Sequence, residues 1–286
     1  MNMKKNTYTL IWVILIATSC TSYRGKESTI YEHLQKSLVQ EATTFCSRDS
    51  CGIVGIYAIC LENGAVRAVY NTNEKDANSS ELDRGSKVFP GSMMEPVFSA
   101  ILADSNLPRD ERSIDLELNN LLSSIKNVFK DSDCLIPRNL SLPAEKERAI
   151  ALCLQGRCHQ LSEADICFAF DCLANNGSAF APFHLYNGKT KKTSLCSPKT
   201  ASQICQSLEE FQTGQNTVRF AYGTSDGDEM SRASIVAIIE SGRPITIYVS
   251  IRYRNNTNEA ISWPDDGISV ISAIMSATNS QNAQRL

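Results

Sequence analysis

The chain has 286 residues, of which 42% are hydrophobic and 21% are charged, the balance of a globular protein with material for one well-buried core. This length accommodates one large domain or two small ones. The formal net charge is -3 at pH 7, which does not favour nucleic-acid binding. The three histidines, His33, His159 and His184, share no metal-ligand spacing, and the sequence has no C-x-x-C pair. We therefore predict no metal site and no cofactor.

The first 19 residues have the features of an export signal. Two lysines precede an apolar run, residues 10–17, that is too short to span a bilayer, which takes about 20 residues. Small residues then lead to Cys20. This ending resembles the lipobox of bacterial lipoproteins, and the resemblance implies a lipid on Cys20, a tether over residues 20–27 and membrane attachment through the lipid. It also implies a location in the bacterial cell envelope, facing the periplasm or the cell exterior. The alternative is an ordinary secretory peptide with a chance cysteine.

The remaining cysteines of the 11 in the chain would then lie in an oxidising compartment, where disulfides form. Cys46 and Cys51 bracket one short loop, and Cys153 and Cys158 bracket a second short segment. Spacing alone does not define which cysteines pair. The three cysteines within apolar runs are predicted to be core residues: Cys60, Cys167 and Cys172.

The first third of the chain predicts a helix, a hairpin and a second helix. Ser28 is a candidate cap for the first helix, and Asn63-Gly64 between two apolar strands is the strongest short hairpin signal. Pro90-Gly91 then makes a turn into an apolar helical stripe. The predicted elements are a helix over 28–45, strands over 53–61 and 65–70, a loop over 71–87 and a helix from Ser92.

The rest of the chain predicts helices followed by strands. Asn175-Asn176-Gly177 is a helix stop, and Ser197-Pro198 is a helix start. Strands at both ends with helices between them predict an α/β fold of the α+β type, in which helices flank one central antiparallel sheet built from both ends of the chain. The predicted elements are a helix over 114–129, a loop over 131–145, helices over 162–173 and 197–208, strands over 218–222, 235–239 and 245–251, and a closing helix over 268–275.

Six local strings, in the correct order, resemble the transpeptidase domain of penicillin-binding proteins. Each string alone is a weak signal, and six in order make a specific one. The resemblance implies a penicillin-binding/β-lactamase-like fold over residues 28–280, shortened between 105 and 160. The strings are residues 28–31, 52–69, 89–96, 161–177, 197–201 and 220–224.

In that family a serine at a helix start attacks a D-alanyl-D-alanine carbonyl, and a lysine three residues later takes its proton. A K-T-G strand motif holds the substrate carboxylate and borders the oxyanion hole. Here the string F-P-G-S-M-M-E-P places Ser92 at the nucleophile position but Glu95 at the lysine position. The string F-A-Y-G-T keeps Gly223 and Thr224 for binding, but Ala221 stands where the lysine is expected. The third family motif, S-x-N, is not found between them.

Two classes of function follow from this resemblance. The first is a non-catalytic cell-envelope lipoprotein that binds or scaffolds peptidoglycan or an envelope partner, because the scaffold strings persist while all three motifs have lost chemical groups. The second is an active acyl-serine D,D-transpeptidase or carboxypeptidase, with Ser92 as nucleophile and Glu95 as an unusual base. A third possibility is a sensor that binds a β-lactam or a muropeptide without turnover. The expected partners are a peptidoglycan stem peptide, a β-lactam or an envelope protein, with no nucleic acid.

Two serines also have structural explanations. Ser92 can be a helix cap rather than a nucleophile. Ser123 and Lys126 form a literal S-x-x-K, but they lack the Pro-Gly turn and lie in the middle of a predicted polar helix face. We interpret this second motif as a solvated helix surface.

Overall fold

The structure, a computed structural model, describes ten segments of the chain. The predicted export signal, Cys20 and most of the predicted tether lie outside them, as do Cys51 and the side chain of Cys46. The described segments are residues 27–29, 31–47, 52–72, 87–104, 114–137, 139–183, 185–186, 191–226, 230–254 and 264–282.

The described segments form thirteen strands and seven α-helices. In chain order the strands are β1 (Glu27–Ser28), β2 (Ile53–Glu62), β3 (Ala65–Asn71), β4 (Lys87–Val88), β5 (Asp133–Cys134), β6 (His159–Ser162), β7 (Ser178–Phe180), β8 (Leu185–Tyr186), β9 (Lys192–Ser194), β10 (Glu209–Thr213), β11 (Asn216–Asp226), β12 (Met230–Ile239) and β13 (Ile245–Arg254). The helices are α1 (Glu32–Cys46), α2 (Glu95–Asp104), α3 (Ile114–Val128), α4 (Pro143–Leu154), α5 (Glu163–Ala174), α6 (Pro198–Ser207) and α7 (Asp265–Asn282), with a 3₁₀ turn at Gly91–Met94.

A six-stranded antiparallel sheet in the order β10-β11-β12-β13-β2-β3 forms the centre of the fold. It joins the N-terminal hairpin to the C-terminal strands, which confirms the predicted α/β architecture with its central sheet. Successive side chains of a strand point to opposite faces, so the sheet separates two cores. Helices α1 and α7 cover one face, where Leu38 and Ile274 are fully buried. Helices α2 and α5 cover the other face, where Phe98 and Phe170 are fully buried.

The N-terminal hairpin has the predicted turn. Asn63 and Gly64 both have positive φ, 48° and 81°, as a tight two-residue hairpin turn requires. A side chain on Gly64 would collide with the backbone, because a Cβ there would lie 2.1 Å from the carbonyl oxygen of Phe180. The buried carboxylate of Asp171 on α5 stabilises the turn. It accepts hydrogen bonds from the backbone N–H groups of Asn63 at 3.2 Å and Gly64 at 2.6 Å.

The first helix begins later than predicted. Residues 28–29 and Tyr31 belong to extended chain, because Ser28 pairs with Leu185 in the β1–β8 ladder and the hydroxyl of Thr29 donates to the carbonyl oxygen of Val66 at 2.9 Å. The helix starts at Glu32, and in the part of the chain that the structure describes no side chain caps it. The assignment of Ser28 as its cap was therefore wrong, because long-range strand pairing takes precedence over the local capping signal.

The predicted loop over residues 131–145 was wrong in part. Residues 133–134 form strand β5, and Pro143 opens helix α4. Proline is tolerated in the first turn of a helix, where its missing N–H would have no partner. The Glu145 carboxylate adds to this start by accepting hydrogen bonds from the N–H groups of Ser141 and Leu142, each at 3.2 Å.

The predicted helix starts later in the chain are confirmed. Ser162 caps α5, since its hydroxyl accepts from the N–H of Asp165, and Ser197 caps α6 in the same way for Thr200. No helix in the described segments is both long enough and apolar enough to cross a membrane.

Candidate functional site

The serine turn, Gly91–Met94, is a single 3₁₀ turn placed before α2. Ser92 and Glu95 are both exposed, and α2 begins only at Glu95. Ser92 therefore precedes the α-helix instead of starting it, which corrects the predicted boundary. Within the described part of the chain, the Ser92 hydroxyl makes no hydrogen bond to a backbone N–H, so the geometry does not support the helix-cap explanation.

The serine turn packs directly against β11, the strand that carries the third predicted motif. A Cβ on Gly223 would lie 3.0 Å from the backbone nitrogen of Met93, and a Cβ on Gly91 would lie 2.9 Å from the carbonyl oxygen of Thr224. Gly91 also has a positive φ of 65°. The absence of two side chains thus allows the two backbones to approach closely, with Ser92 between the two contacts.

The register of β11 decides which motif residues face the serine turn. Ala221 pairs with Val236 and Gly223 pairs with Ser234, and Val236 belongs to the core under α2 and α5. Ala221 and Gly223 therefore face that side, whereas Thr224 points to the opposite, exposed side. Strand β10 pairs with β11 only as far as Phe220, so within the described segments the edge of β11 beside the serine turn has no strand partner.

Arg232 is a positively charged residue on this face of the sheet, and it already forms an ion pair. Arg232 lies directly opposite Ser225, on the strand next to β11. Its guanidinium forms an ion pair with Glu163 at the start of α5 and a hydrogen bond at 3.3 Å with the hydroxyl of Ser250. Within the described segments Arg232 is therefore already paired, and Ala221 and Glu95 stand where the family resemblance predicts lysines.

The literal S-x-x-K on α3 has the environment of an ordinary helix surface. The Ser123 hydroxyl donates to the carbonyl oxygen of Asn119 one turn earlier, at 2.6 Å. The Lys126 ammonium donates to the carbonyl oxygen of Ser132 at 2.9 Å. Both side chains are exposed and serve local backbone groups, which agrees with the solvated-surface interpretation.

The segment that the sequence marks as shortened packs behind the serine turn. Gly156, in the turn between α4 and β6, has a φ of 66°, and a Cβ there would lie 2.2 Å from the carbonyl oxygen of Gly91. This contact leaves no room for a side chain. The region between α3 and β6 is therefore joined to the serine turn by direct backbone packing.

A cluster that the sequence analysis missed lies in this same region. The sulfur atoms of Cys153 and Cys158 are 2.7 Å apart, and together with a His159 ring nitrogen they lie within 4.8 Å of one another. Cys134 stands directly opposite His159 in the β5–β6 pair. The sequence carries a signal for the cluster in the pattern C-x-x-x-x-C-H, which differs from the C-x-x-C spacing typical of zinc sites. We name these four residues the cysteine–histidine cluster: Cys134, Cys153, Cys158 and His159.

The cluster residues perturb one another strongly. Burial lowers the pKa of His159, but the nearby sulfur atoms of Cys134 and Cys153 outweigh it and raise the pKa to about 9. The thiol of Cys158 donates to Cys153 and lowers the pKa of Cys153, with a smaller contribution from His159. His159 and Cys134 also line a groove of about 690 Å³ between α3, α4 and the segment around β5.

Comparison with solved structures identifies the class of fold. The chain has the fold of the transpeptidase domain of penicillin-binding proteins. It is similar to the apo transpeptidase domain of penicillin-binding protein 3 from Burkholderia pseudomallei, with 14% identity, a TM-score of 0.66 and coverage of 90% of this chain and 96% of that one. No protein-family model and no curated protein sequence matches the chain.

Two further structures show the same likeness. The transpeptidase domain of the FtsI4 D,D-transpeptidase from Legionella pneumophila is 13% identical, with a TM-score of 0.64 and coverage of 88% of this chain and 98% of that one. Penicillin-binding protein 3 from Mycobacterium tuberculosis, complexed with aztreonam, is 11% identical, with a TM-score of 0.61 and coverage of 91% of this chain and 79% of that one. Likeness at these identities defines the fold, and the roles of Ser92, Glu95, Ala221, Gly223 and Thr224 stay predictions.

Proposed function

We propose that the protein is a non-catalytic lipoprotein of the bacterial cell envelope, whose transpeptidase-like domain binds peptidoglycan or an envelope partner. The observation that supports the proposal is a contrast between the backbone packing of the site and its side chains. The backbone packing of the serine turn on β11 is intact, while Glu95 and Ala221 occupy the two positions where the chemistry needs cations. A fold can be retained for binding after its chemistry is lost.

Loss of these groups argues against acyl transfer. Loss of a general base typically costs about 10²- to 10⁴-fold in rate. Glu95 is exposed, and a carboxylate cannot supply the positive charge of a lysine at this position. Its negative charge also opposes the terminal carboxylate of a stem peptide, which Ala221 cannot attract. A ligand without a carboxylate at this position is therefore favoured.

The competing function is an active acyl-serine enzyme, and one observation favours it. Ser92 is exposed and lies beside the open edge of β11, where backbone N–H groups can stabilise an oxyanion. In that function Ser92 is the nucleophile and Glu95 is the base. Since the solved relative from Mycobacterium tuberculosis is complexed with a β-lactam, aztreonam, β-lactams are suitable probes of this activity.

Acylation distinguishes the two functions. We expect no covalent adduct when the purified full chain is incubated with fluorescent penicillin and analysed on a gel and by intact mass. The control is Ser92→Ala, which should give the same background as the unmodified protein. A stoichiometric adduct that disappears in Ser92→Ala would replace the proposal with the enzyme function.

Binding without turnover tests the proposal itself. The full chain should sediment with purified peptidoglycan sacculi or with a membrane-protein fraction, and Ser92→Arg should weaken that binding by blocking the exposed turn. Ser123→Arg is the matched control, because Ser123 is also an exposed serine but lies on α3. Equal binding by both variants would show that the serine turn is not the binding surface.

The membrane anchor is tested separately. If Cys20 carries a lipid, the protein fractionates with membranes, and Cys20→Ala accumulates as an uncleaved precursor or is released. The control is Cys205→Ala, a cysteine of α6 within the domain. Unchanged membrane partitioning of Cys20→Ala would mean that another feature holds the protein there.

A further inference from the structure

The cysteine–histidine cluster assembles three thiols and one imidazole from two strands and a helix end. Cys153 lies in the last turn of α4, Cys158 follows the turn at Gly156, and His159 opens β6. The β5–β6 ladder aligns Cys134 with His159, so the two side chains emerge on the same face. Cys134, which is 19 residues before Cys153 in the chain, is thus brought beside His159 by strand pairing.

We propose that the cysteine–histidine cluster is a structural zinc site. Three thiolates and one imidazole are a ligand set that tetrahedral structural zinc uses in proteins. The sulfur atoms of Cys153 and Cys158 and a His159 nitrogen are already within 4.8 Å of one another, and Cys134 supplies the fourth ligand from the groove side. The site reverses the expectation from sequence that the chain has no metal site.

His159 is the observation that points to a ligand. Its side chain is 1% exposed, and among the described residues neither ring nitrogen has a hydrogen-bond partner of normal geometry. Leaving a buried polar group without a partner is unfavourable, so native proteins rarely do so. The ring packs against Phe98, with centroids 6.2 Å apart, and its nitrogens have the cluster sulfurs as neighbours. A metal ion bound by one nitrogen and by those sulfurs provides the missing partner.

A disulfide between Cys153 and Cys158 is the competing explanation. Their sulfur atoms are 2.7 Å apart, so they can bond to each other or serve one ion, and the predicted export places them where disulfides form. The disulfide uses only two of the four donors. It leaves the buried nitrogens of His159 unpartnered and gives no reason for the position of Cys134, whereas zinc uses all four donors.

Zinc at this site would fasten the region behind the serine turn. The ligands fix the end of α4 to β6 and β5, and Gly156 lies between two of them, in contact with Gly91. A closed four-ligand site has no open position for a reacting water, so it is a structural and not a catalytic centre. This inference does not depend on whether the serine turn binds a ligand or reacts.

Metal content and thiol state test the proposal together. The full chain is purified in detergent without chelators, its zinc is measured by mass spectrometry of the metal, and its thiols are counted by alkylation and intact mass. We expect one zinc per chain, with Cys153 and Cys158 reduced once the metal is removed under denaturing conditions. A metal-free protein with a Cys153–Cys158 disulfide would overturn the proposal.

The deciding variant is Cys134→Ser, because Cys134 is exposed and its replacement should not prevent folding. We expect it to lose bound zinc, whereas Cys205→Ser, a cysteine outside the cluster, keeps it. Reconstitution of the reduced chain with Co²⁺ alone should give thiolate-to-cobalt charge-transfer absorption and the d–d bands of a tetrahedral ion, both changed in Cys134→Ser. Equal zinc in both variants, with identical cobalt spectra, would place the metal elsewhere and overturn the proposal.

Discussion

The serine turn and the cysteine–histidine cluster are neighbours, joined where Gly156 packs against Gly91, but they differ in exposure and in chemistry. At the serine turn two backbones pack closely, and Glu95 and Ala221 stand where the family resemblance predicts lysines. In the cluster, Cys153, Cys158 and His159 are buried and rich in donor atoms. The family resemblance predicts that the serine turn belongs to the scaffold of transpeptidase domains. The cluster belongs to the segment that the sequence marks as shortened.

This comparison distinguishes the residues that keep the fold packed from the residues that the chemistry of a site requires. Close backbone packing at the serine turn depends on two glycines, Gly91 and Gly223, whose replacement would disturb the core around Met93. The exposed side chains of Ser92 and Glu95 contribute little to that packing, so they can change without unfolding the domain. Stability alone is therefore sufficient reason for the packing of this turn to persist, whether or not the domain is catalytic.

The largest expected effect is at the junction of the two regions. Gly156→Ala forces a side chain into a left-handed backbone position and into contact with the Gly91 carbonyl oxygen. Strain of about 1–2 kcal/mol and overpacking of about 1–3 kcal/mol together predict a loss of about 2–5 kcal/mol in the free energy of unfolding. Denaturant unfolding measures it, with Gly242→Ala as the control, because a Cβ on Gly242 meets no atom within 4 Å. Equal stability of the two variants would mean that the two regions are not packed as described.

A smaller effect tests the scaffold away from both regions. Burial raises the pKa of Asp171 to about 6, although hydrogen bonds from Gly64, Asn63 and Thr246 oppose the rise. Because the folded-state pKa lies above the unfolded-state value, the contribution of this carboxyl to stability is complete below about pH 4. It is lost as the pH rises through about 6, and a shift of about 2 pKa units corresponds to about 3 kcal/mol.

The pH dependence is isolated by comparison with Asp171→Asn. Both proteins are unfolded with denaturant between pH 4 and pH 7, and the stability of the variant is subtracted from that of the unmodified protein at each pH. We expect the difference to fall by about 3 kcal/mol over this range. A difference that rises with pH would show that the hydrogen bonds to the carboxylate dominate over burial.

The contact between the serine turn and β11 should be less costly to disturb than the junction. Gly223→Ala places a Cβ 3.0 Å from the Met93 nitrogen and 3.2 Å from its Cβ, so the turn must shift slightly. We expect a loss of about 1–3 kcal/mol in unfolding free energy, typical of overpacking. Thr224→Ala is the control, because its side chain points away from the turn and is exposed. Equal effects would show that β11 and the turn do not touch.

Local signals in the sequence predicted much of the scaffold. Asn63-Gly64 identified the hairpin because few residue pairs adopt two positive φ angles, and Ser162 and Ser197 identified helix starts because their hydroxyls satisfy free N–H groups. The start of α1 and the strand β5 were missed because both depend on pairing with distant residues. Pro143 was interpreted as a loop residue, although a first helical turn accepts it equally well.

The candidate sites show the same limit. The sequence placed Ser92 near Gly223 only through the family resemblance, since no local pattern joins residues so far apart. The cysteine–histidine cluster depends on the register that sets Cys134 opposite His159, which only the tertiary structure provides. Spacing rules find metal sites whose ligands come in close pairs, and they overlook ligands delivered by separate strands.

The smallest expected effect addresses the charge at the serine turn. Glu95 lies in the first turn of α2, where a negative charge interacts favourably with the helix dipole. Glu95→Lys should therefore lower the unfolding free energy by about 0.3–1 kcal/mol, with about half of that loss in Glu95→Gln, and added salt should reduce both effects. Combining Glu95→Lys with Ala221→Lys places lysines at both positions where the family resemblance predicts them. We nevertheless expect no acylation by fluorescent penicillin, because no S-x-N motif is found between the serine and the K-T-G strings. Recovered acylation in the double variant would contradict this expectation. It would show that the side chains at positions 95 and 221 alone account for the difference between this chain and an active transpeptidase.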